Sequence, residues 1–152
     1  MFLRFVVALA LGALLGLERE LVGKEAAGIR TLMLVTSGAS IFSVVALALP
    51  YITAATLNAL PDAGLLNSGF AILANIVVGI GFLGAGLIIK TNDHPHGVTT
   101  AALVWTAAAI GVLVGIGLFK FAISATAVLA ILLYFLRKLN ISERIEKENS
   151  GA

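Results

Sequence analysis

The run Leu65-Leu-Asn-Ser-Gly-Phe-Ala-Ile-Leu-Ala-Asn-Ile-Val-Val-Gly-Ile-Gly-Phe-Leu-Gly-Ala-Gly-Leu-Ile-Ile89 extends for twenty-five residues without an Asp, Glu, Lys or Arg. A helix needs about 20 apolar residues to cross the hydrocarbon of a bilayer. The period-two alternation of a membrane β-strand is missing, so the run predicts a helix. Four more apolar stretches surround it: Phe2–Leu17, Thr31–Leu49, Val98–Gly117 and Phe119–Leu136. The 152 residues are 60% hydrophobic and 12% charged, against about 25% charged in a soluble domain. A chain this short has too little interior to hide so much apolar surface from water. Lipid solvates it instead, provided that the backbone bonds internally. The expected fold is therefore all-α and polytopic, with five transmembrane helices over residues 1–136 and a short cytoplasmic tail over 137–152.

The connections set the orientation. Glu18–Arg30 is charged and contains Gly23 and Gly28; Pro50–Gly64 has no Lys or Arg; Lys90–Gly97 is short and polar. With five spans, one side receives Arg19, Lys24, Arg30, Lys90, Arg137, Lys138, Arg144 and Lys147, and the other only Arg4 and Lys120. Basic residues accumulate on the cytoplasmic side, which predicts an outside N-terminus and a cytoplasmic C-terminus. The first stretch follows Arg4 as a signal peptide would. No small-x-small cleavage site precedes Glu18-Arg19-Glu20, so it is read as a retained span.

Helices in lipid meet through small residues. Gly12 and Gly16 form one such pair, and Gly111 and Gly115 another. The third span carries Gly79, Gly81, Gly84 and Gly86 on two faces, which predicts a central helix packed on both sides. At about 100° per residue, Arg19 continues the Gly12–Gly16 line toward the membrane boundary. Two readings of that boundary stay open. One is a solvated helix end, with Glu18, Arg19 and Glu20 snorkelling to water. The other is a buried ion-pair network of Glu18, Arg19, Glu20 and Arg30, capped by Thr31 and approached by Thr99 and Thr100. Asn75, near mid-membrane, bonds a neighbouring helix or lines a substrate path.

Several chemistries fall away. The chain has no cysteine, which removes disulfides and thiolate sites. His94 and His96 beside Asp93 are too few for a closed zinc site. The glycine run lacks the strand-turn-helix setting of a phosphate loop. No nucleophile–base set is arranged for catalysis, and the basic residues flank spans rather than form a nucleic-acid stripe. The sequence is read as a non-enzyme with no cofactor and no metal.

Three motifs in register resemble the MgtC/SapB family of bacterial inner-membrane proteins. They are Gly12-Ala-Leu-Leu-Gly16-Leu-Glu18-Arg19-Glu20, continuing through Ala27-Gly28-Ile29-Arg30-Thr31; Gly79-Ile-Gly81-Phe-Leu-Gly84-Ala-Gly86; and Gly97-Val-Thr99-Thr100-Ala-Ala with Trp105 and Gly111 beyond. The resemblance covers about residues 6–135 and implies a five-span bundle in the inner membrane. It also implies a link to magnesium homeostasis and virulence, and regulation of a membrane partner such as an ATP synthase or a transporter. A small oligomeric channel or transporter for magnesium or another cation is the alternative. Independently of the resemblance, the small-residue surfaces of Gly12, Gly16, Gly111, Gly115 and the third span exceed what a five-helix monomer needs, which predicts a homo-oligomer, most simply a dimer. As aligned, the family often has arginine where this chain has Ala71 and His96. Many members continue into a soluble C-terminal domain, which a chain ending at Ala152 is expected to lack.

Overall fold

A computed structural model describes residues 1–20, 27–58, 60–91 and 94–138. Five helices account for most of them: α1 (Phe2–Glu20), α2 (Ile29–Thr56), α3 (Ala63–Leu87), α4 (Val98–Ile116) and α5 (Phe119–Lys138). Between α3 and α4 lies a short antiparallel hairpin, β1 (Ile89–Thr91) with β2 (His94–His96), in which Ile89 pairs with His96. Helices α2, α3, α4 and α5 are each long and apolar enough to cross a membrane, whereas the apolar part of α1, Phe2–Leu17, is shorter. The expected tail lies beyond the described residues from 139 onward.

Local chemistry explains where helices begin and end. Asp62 caps α3, its carboxylate accepting the Leu65 N–H at 2.8 Å, which satisfies one of the donors that a helix start leaves free. Gly117 closes α4 in the left-handed region at φ 94°. The N–H groups of Gly117 and Leu118 return to Val114 and Leu113, so the chain reverses at once into α5. Two boundaries differ from expectation. The stretch Lys90–Gly97, expected as a polar loop, contributes to the hairpin. The second span, expected to stop at Leu49, continues through Pro50 to Thr56. Pro50 has no N–H, so the Ala46 carbonyl loses its usual donor four residues on. Gly69 of α3 closes against that carbonyl and against Pro50. Packing by a neighbouring helix is what allows a membrane helix to run through proline.

The core forms where α1 and α4 clasp α2. A Cβ on Gly12 would lie 2.6 Å from the Leu32 carbonyl oxygen and 2.8 Å from Thr36 Oγ1. One on Gly16 would strike Ile29, one on Gly111 would strike the Thr36 carbonyl, and one on Gly115 would lie 2.6 Å from the Ser40 carbonyl oxygen. Around these contacts Leu15, Leu32, Val104, Ile110 and Val114 are fully buried.

The third helix is not central, contrary to the reading of its glycines. Among its residues only Gly69 and Gly84 are buried, and Gly79, Gly81 and Gly86 have no atom within 4 Å of a built Cβ. It touches α2 near one end, at Gly69, and α4 near the other, with Gly84 3.7 Å from the Ala101 methyl. Between these points α2 and α3 part to leave a groove of about 430 Å³, lined by Leu34, Gly38, Phe42, Ile72, Asn75 and Gly79 among others.

This arrangement separates two kinds of glycine. Gly111→Ala is expected to destabilise the protein by about 1–3 kcal/mol, because the methyl has no room beside the α2 backbone. Gly79→Ala should stay within about 0.5 kcal/mol of the parent. Thermal unfolding in detergent, followed by the single tryptophan, Trp105, checks both.

Candidate functional site

Two arginines mark the two ends of the bundle, and their surroundings differ. Arg4 enters between α1 and α4. Its Nη1 donates to the Gly115 carbonyl at 2.6 Å, and Nη2 lies 3.3 Å from the position a Cβ would take on Gly117. The last carbonyls of a helix have no partner within it and carry its negative dipole end. A guanidinium there is matched in hydrogen bonding and in charge. The sequence reading counted Arg4 only as an outside charge; no local pattern pairs it with Gly115, 111 residues away.

At the other end Arg19 retains only 5% of its surface. Its burial follows from the same packing that seats α1 on α2. Gly12 meets Leu32, Met33 and Thr36, and Gly16 meets Gly28 and Ile29. Arg19 extends this line by one more turn, past the start of α2. Its Nε and Nη2 have no hydrogen-bond partner among the described residues.

Among the described residues, the expected ion-pair network does not assemble around it. Glu20 lies about 100° round the helix from Arg19 and is exposed; Arg30, beside the inward-facing Ile29, is exposed as well. The Glu20 carboxylate instead approaches Gly28, 3.6 Å from where a Cβ would sit. The Glu18 side chain lies outside the described residues. Thr31 does not cap α2: the N-cap is Gly28, with no side-chain cap bond. Thr99 is exposed and Thr100 buried at 6%.

The remaining residues singled out from sequence are dispersed. Asn75 lies in the α2–α3 groove, far along the bundle from Arg19, with its side chain exposed. Ala71 is exposed on α3, and His96 is exposed at the end of β2, just before α4. Buried hydroxyls bond within their own helices: Thr36 to Leu32 at 2.7 Å, Ser43 to Ala39 at 2.7 Å and Thr126 to Ala122 at 2.8 Å. Ser40 Oγ is buried without such a partner. Among the described residues no cluster of His, Asp and Glu is arranged to hold a metal ion.

A glycine-clasped bundle of apolar helices, with arginines at its two ends, defines the class: an α-helical membrane protein. The chain belongs to the MgtC family, whose profile matches residues 5–141. It is 40% identical to Protein MgtC of Salmonella typhimurium over 127 residues, covering 84% of this chain and 48% of that protein. It is 37% identical over 134 residues to the protein of Escherichia coli K12 named putative magnesium transporter YhiD, covering 88% of this chain and 59% of the relative. The chain thus spans about half the length of the curated relatives it matches. No solved structure matches it.

The two arginines are expected to respond oppositely to an apolar replacement of similar size. Arg4→Met strips a charged donor from the Gly115 carbonyl and should destabilise by about 1.5–3 kcal/mol. Arg19→Met removes a buried charge with no partner among the described residues, and should leave the melting temperature unchanged or raise it. Melting curves in a neutral, phosphate-free detergent distinguish the two.

Proposed function

We propose that this chain is a regulatory inner-membrane protein of magnesium and ion homeostasis, acting through helix–helix contact with another membrane protein. The observation that carries the reading is the open space around three glycines of α3. Gly79, Gly81 and Gly86 have nothing against them, and Gly38 and Asn75 line the adjoining groove. Glycine weakens an isolated helix, and lipid tails give no return for its small size. In membranes such residues serve close approach by a second helix. The same glycines serve self-association, most simply a two-fold dimer. The magnesium link draws on the name of the relative YhiD and on family membership.

The alternative is a small oligomeric cation transporter, which that relative's name favours. A hydrated cation needs a continuous polar lining. Inside the bundle the hydroxyls of Thr36, Ser43 and Thr126 donate to their own helices, so a path would have to form between copies, past Asn75. In either reading we place all five helices across the membrane, the N-terminus outside and the end of α5 in the cytoplasm. The eight-to-two division of basic residues supports this orientation. The Arg19 end then faces the cytoplasm.

Reporter fusions test the orientation. Fusions at Asn58 should be active only as external reporters, and fusions after Lys138 only as cytoplasmic ones; the reverse pattern would overturn it. Contact through α3 is tested by a single cysteine at Val78, which is exposed, in a chain that has no cysteine of its own. It should crosslink in native membranes, and adding Gly79→Leu should abolish the crosslink without changing the melting temperature. Cation flux in liposomes holding only this protein would favour the transporter instead.

A further inference from the structure

Three charged or polarised groups of the same sign converge at the Arg19 end. The first is Arg19 itself, buried and without a hydrogen-bond partner on Nε and Nη2 among the described residues. The second is the start of α2. Its first intrahelical bond runs from the Leu32 N–H to the Gly28 carbonyl, so the N–H groups of Ile29, Arg30 and Thr31 precede the ladder, and the N-cap, Gly28, makes no side-chain cap bond. The third is the start of α4, where Gly97 is the N-cap, again without a side-chain cap bond. There the ladder begins with the Ala101 N–H to the Gly97 carbonyl.

Register places these groups at one level. Gly16 lies against Gly28 and Ile29, and Arg19 is one turn further along the same line of α1. On the α4 side, Arg4 bonds Gly115 at the far end. Helices α1 and α4 run antiparallel. Fifteen residues along α1 from Arg4 is Arg19, and fifteen back along α4 from Gly115 is Thr100, each about 22 Å from that contact. Thr100 is itself buried. Arg19 is therefore buried at the level of the two helix starts.

The electrostatics are the reverse of the Arg4 end. A helix N-terminus carries about half a positive charge, so a buried arginine at the level of two of them adds like charge to theirs. Its Nε and Nη2 lack acceptors among the described residues, and the N–H groups of a helix's first turn have no partner within the helix. One species satisfies every member of this set: a compact anion with several acceptor oxygens, as helix N-termini bind phosphate and arginine binds it in bidentate fashion. The Glu20 carboxylate comes within 3.6 Å of where a Cβ on Gly28 would sit, yet it accepts no hydrogen bond from Arg19 Nε or Nη2.

We propose that a phosphate-bearing anion, from a lipid headgroup or from free phosphate, seats between the Arg19 guanidinium and the first turns of α2 and α4. The Thr100 hydroxyl is the side-chain donor on the α4 side. Thr99, exposed in the same first turn, stands at the rim. This assignment does not depend on whether the protein regulates a partner or moves an ion.

The test uses the whole chain in a neutral maltoside detergent. Probes are inorganic phosphate against chloride at matched ionic strength, and phosphatidylglycerol against a neutral, phosphate-free glycolipid. The melting temperature should rise by about 4 °C or more with at least one phosphate probe. A response to inorganic phosphate identifies a soluble ligand; a response to phosphatidylglycerol alone identifies a headgroup, which native mass spectrometry should show retained. Arg19→Gln should weaken the apparent affinity by at least about tenfold. Thr99→Glu, which supplies a carboxylate to the α4 start from an exposed position, should weaken it as well, and decides the matter if Arg19→Gln does not fold. The assignment is overturned if neither probe exceeds its control, as when Arg19 pairs with a carboxylate of its own chain. It is also overturned if a folded Arg19→Gln or Thr99→Glu variant responds as the parent does.

Discussion

The backbone of α2 is approached closely from three sides, and the rest of the bundle depends on that approach. Gly12 and Gly16 bring α1 onto one side, Gly111 and Gly115 bring α4 onto another, and Gly69 brings α3 onto the Ala46 carbonyl. In lipid there is no hydrophobic force between helices, because the tails are as apolar as leucine. Association rests on contact area at short range, and only residues without a Cβ allow the backbones to come this near. The burial of Leu15, Leu32, Val104, Ile110 and Val114 follows from these approaches: large side chains fill the spaces beside the glycine contacts. The burial of Arg19 follows too, since it is the next residue on the glycine line and goes where that line leads.

Polar groups inside the bundle are handled by two devices. Thr36, Ser43 and Thr126 are satisfied locally, each donating to a carbonyl of its own helix and making no demand on a neighbour, whereas Ser40 Oγ has no partner among the described residues. Backbone groups freed at helix ends need something from elsewhere. At the end of α4 the glycine turn satisfies two carbonyls and Arg4 a third. At the starts of α2 and α4 neither side-chain cap is made. The contrast gives the Arg19 end its meaning, because the same protein caps α3 conventionally with Asp62.

The helices were legible because each apolar run is long and uninterrupted by charge. Their limits were less so. Pro50 reads as a stop in isolation, and only Gly69, contributed by another helix, explains why α2 continues past it. The position of Arg19 was legible from the helical repeat, since it lies nearly in line with Gly12. Its partners were not, because whether Glu20 and Arg30 turn toward it depends on the rotation of α1 and α2 about their axes, which local spacing does not encode. The glycines of α3 illustrate the same limit. Gly69, Gly79 and Gly86 are alike as letters, yet Gly69 closes on a carbonyl and the other two lie open. Composition announces that a helix can be approached, not which helix approaches it or where.

The open glycines of α3 and the Arg19 end are joined by a short and stiff route. Leu87, the last residue of α3, has its carbonyl against Gly97, and Gly97 stands at φ 84° as the N-cap of α4. A side chain at Gly97 would meet that carbonyl and would be strained at this backbone angle, so the joint holds only with glycine. The paired strands of the hairpin link the same two helix ends. An anion bound at the first turn of α4 would act on the residue next to this joint, and α3, with only Gly69 and Gly84 buried, is the least buried of the helices that meet there. Movement needs a weakly packed element, and α3 meets that condition while the α1–α2–α4 clasp does not. On this reasoning the fixed part of the molecule carries the arginine, and the part free to respond carries the open glycines Gly79, Gly81 and Gly86.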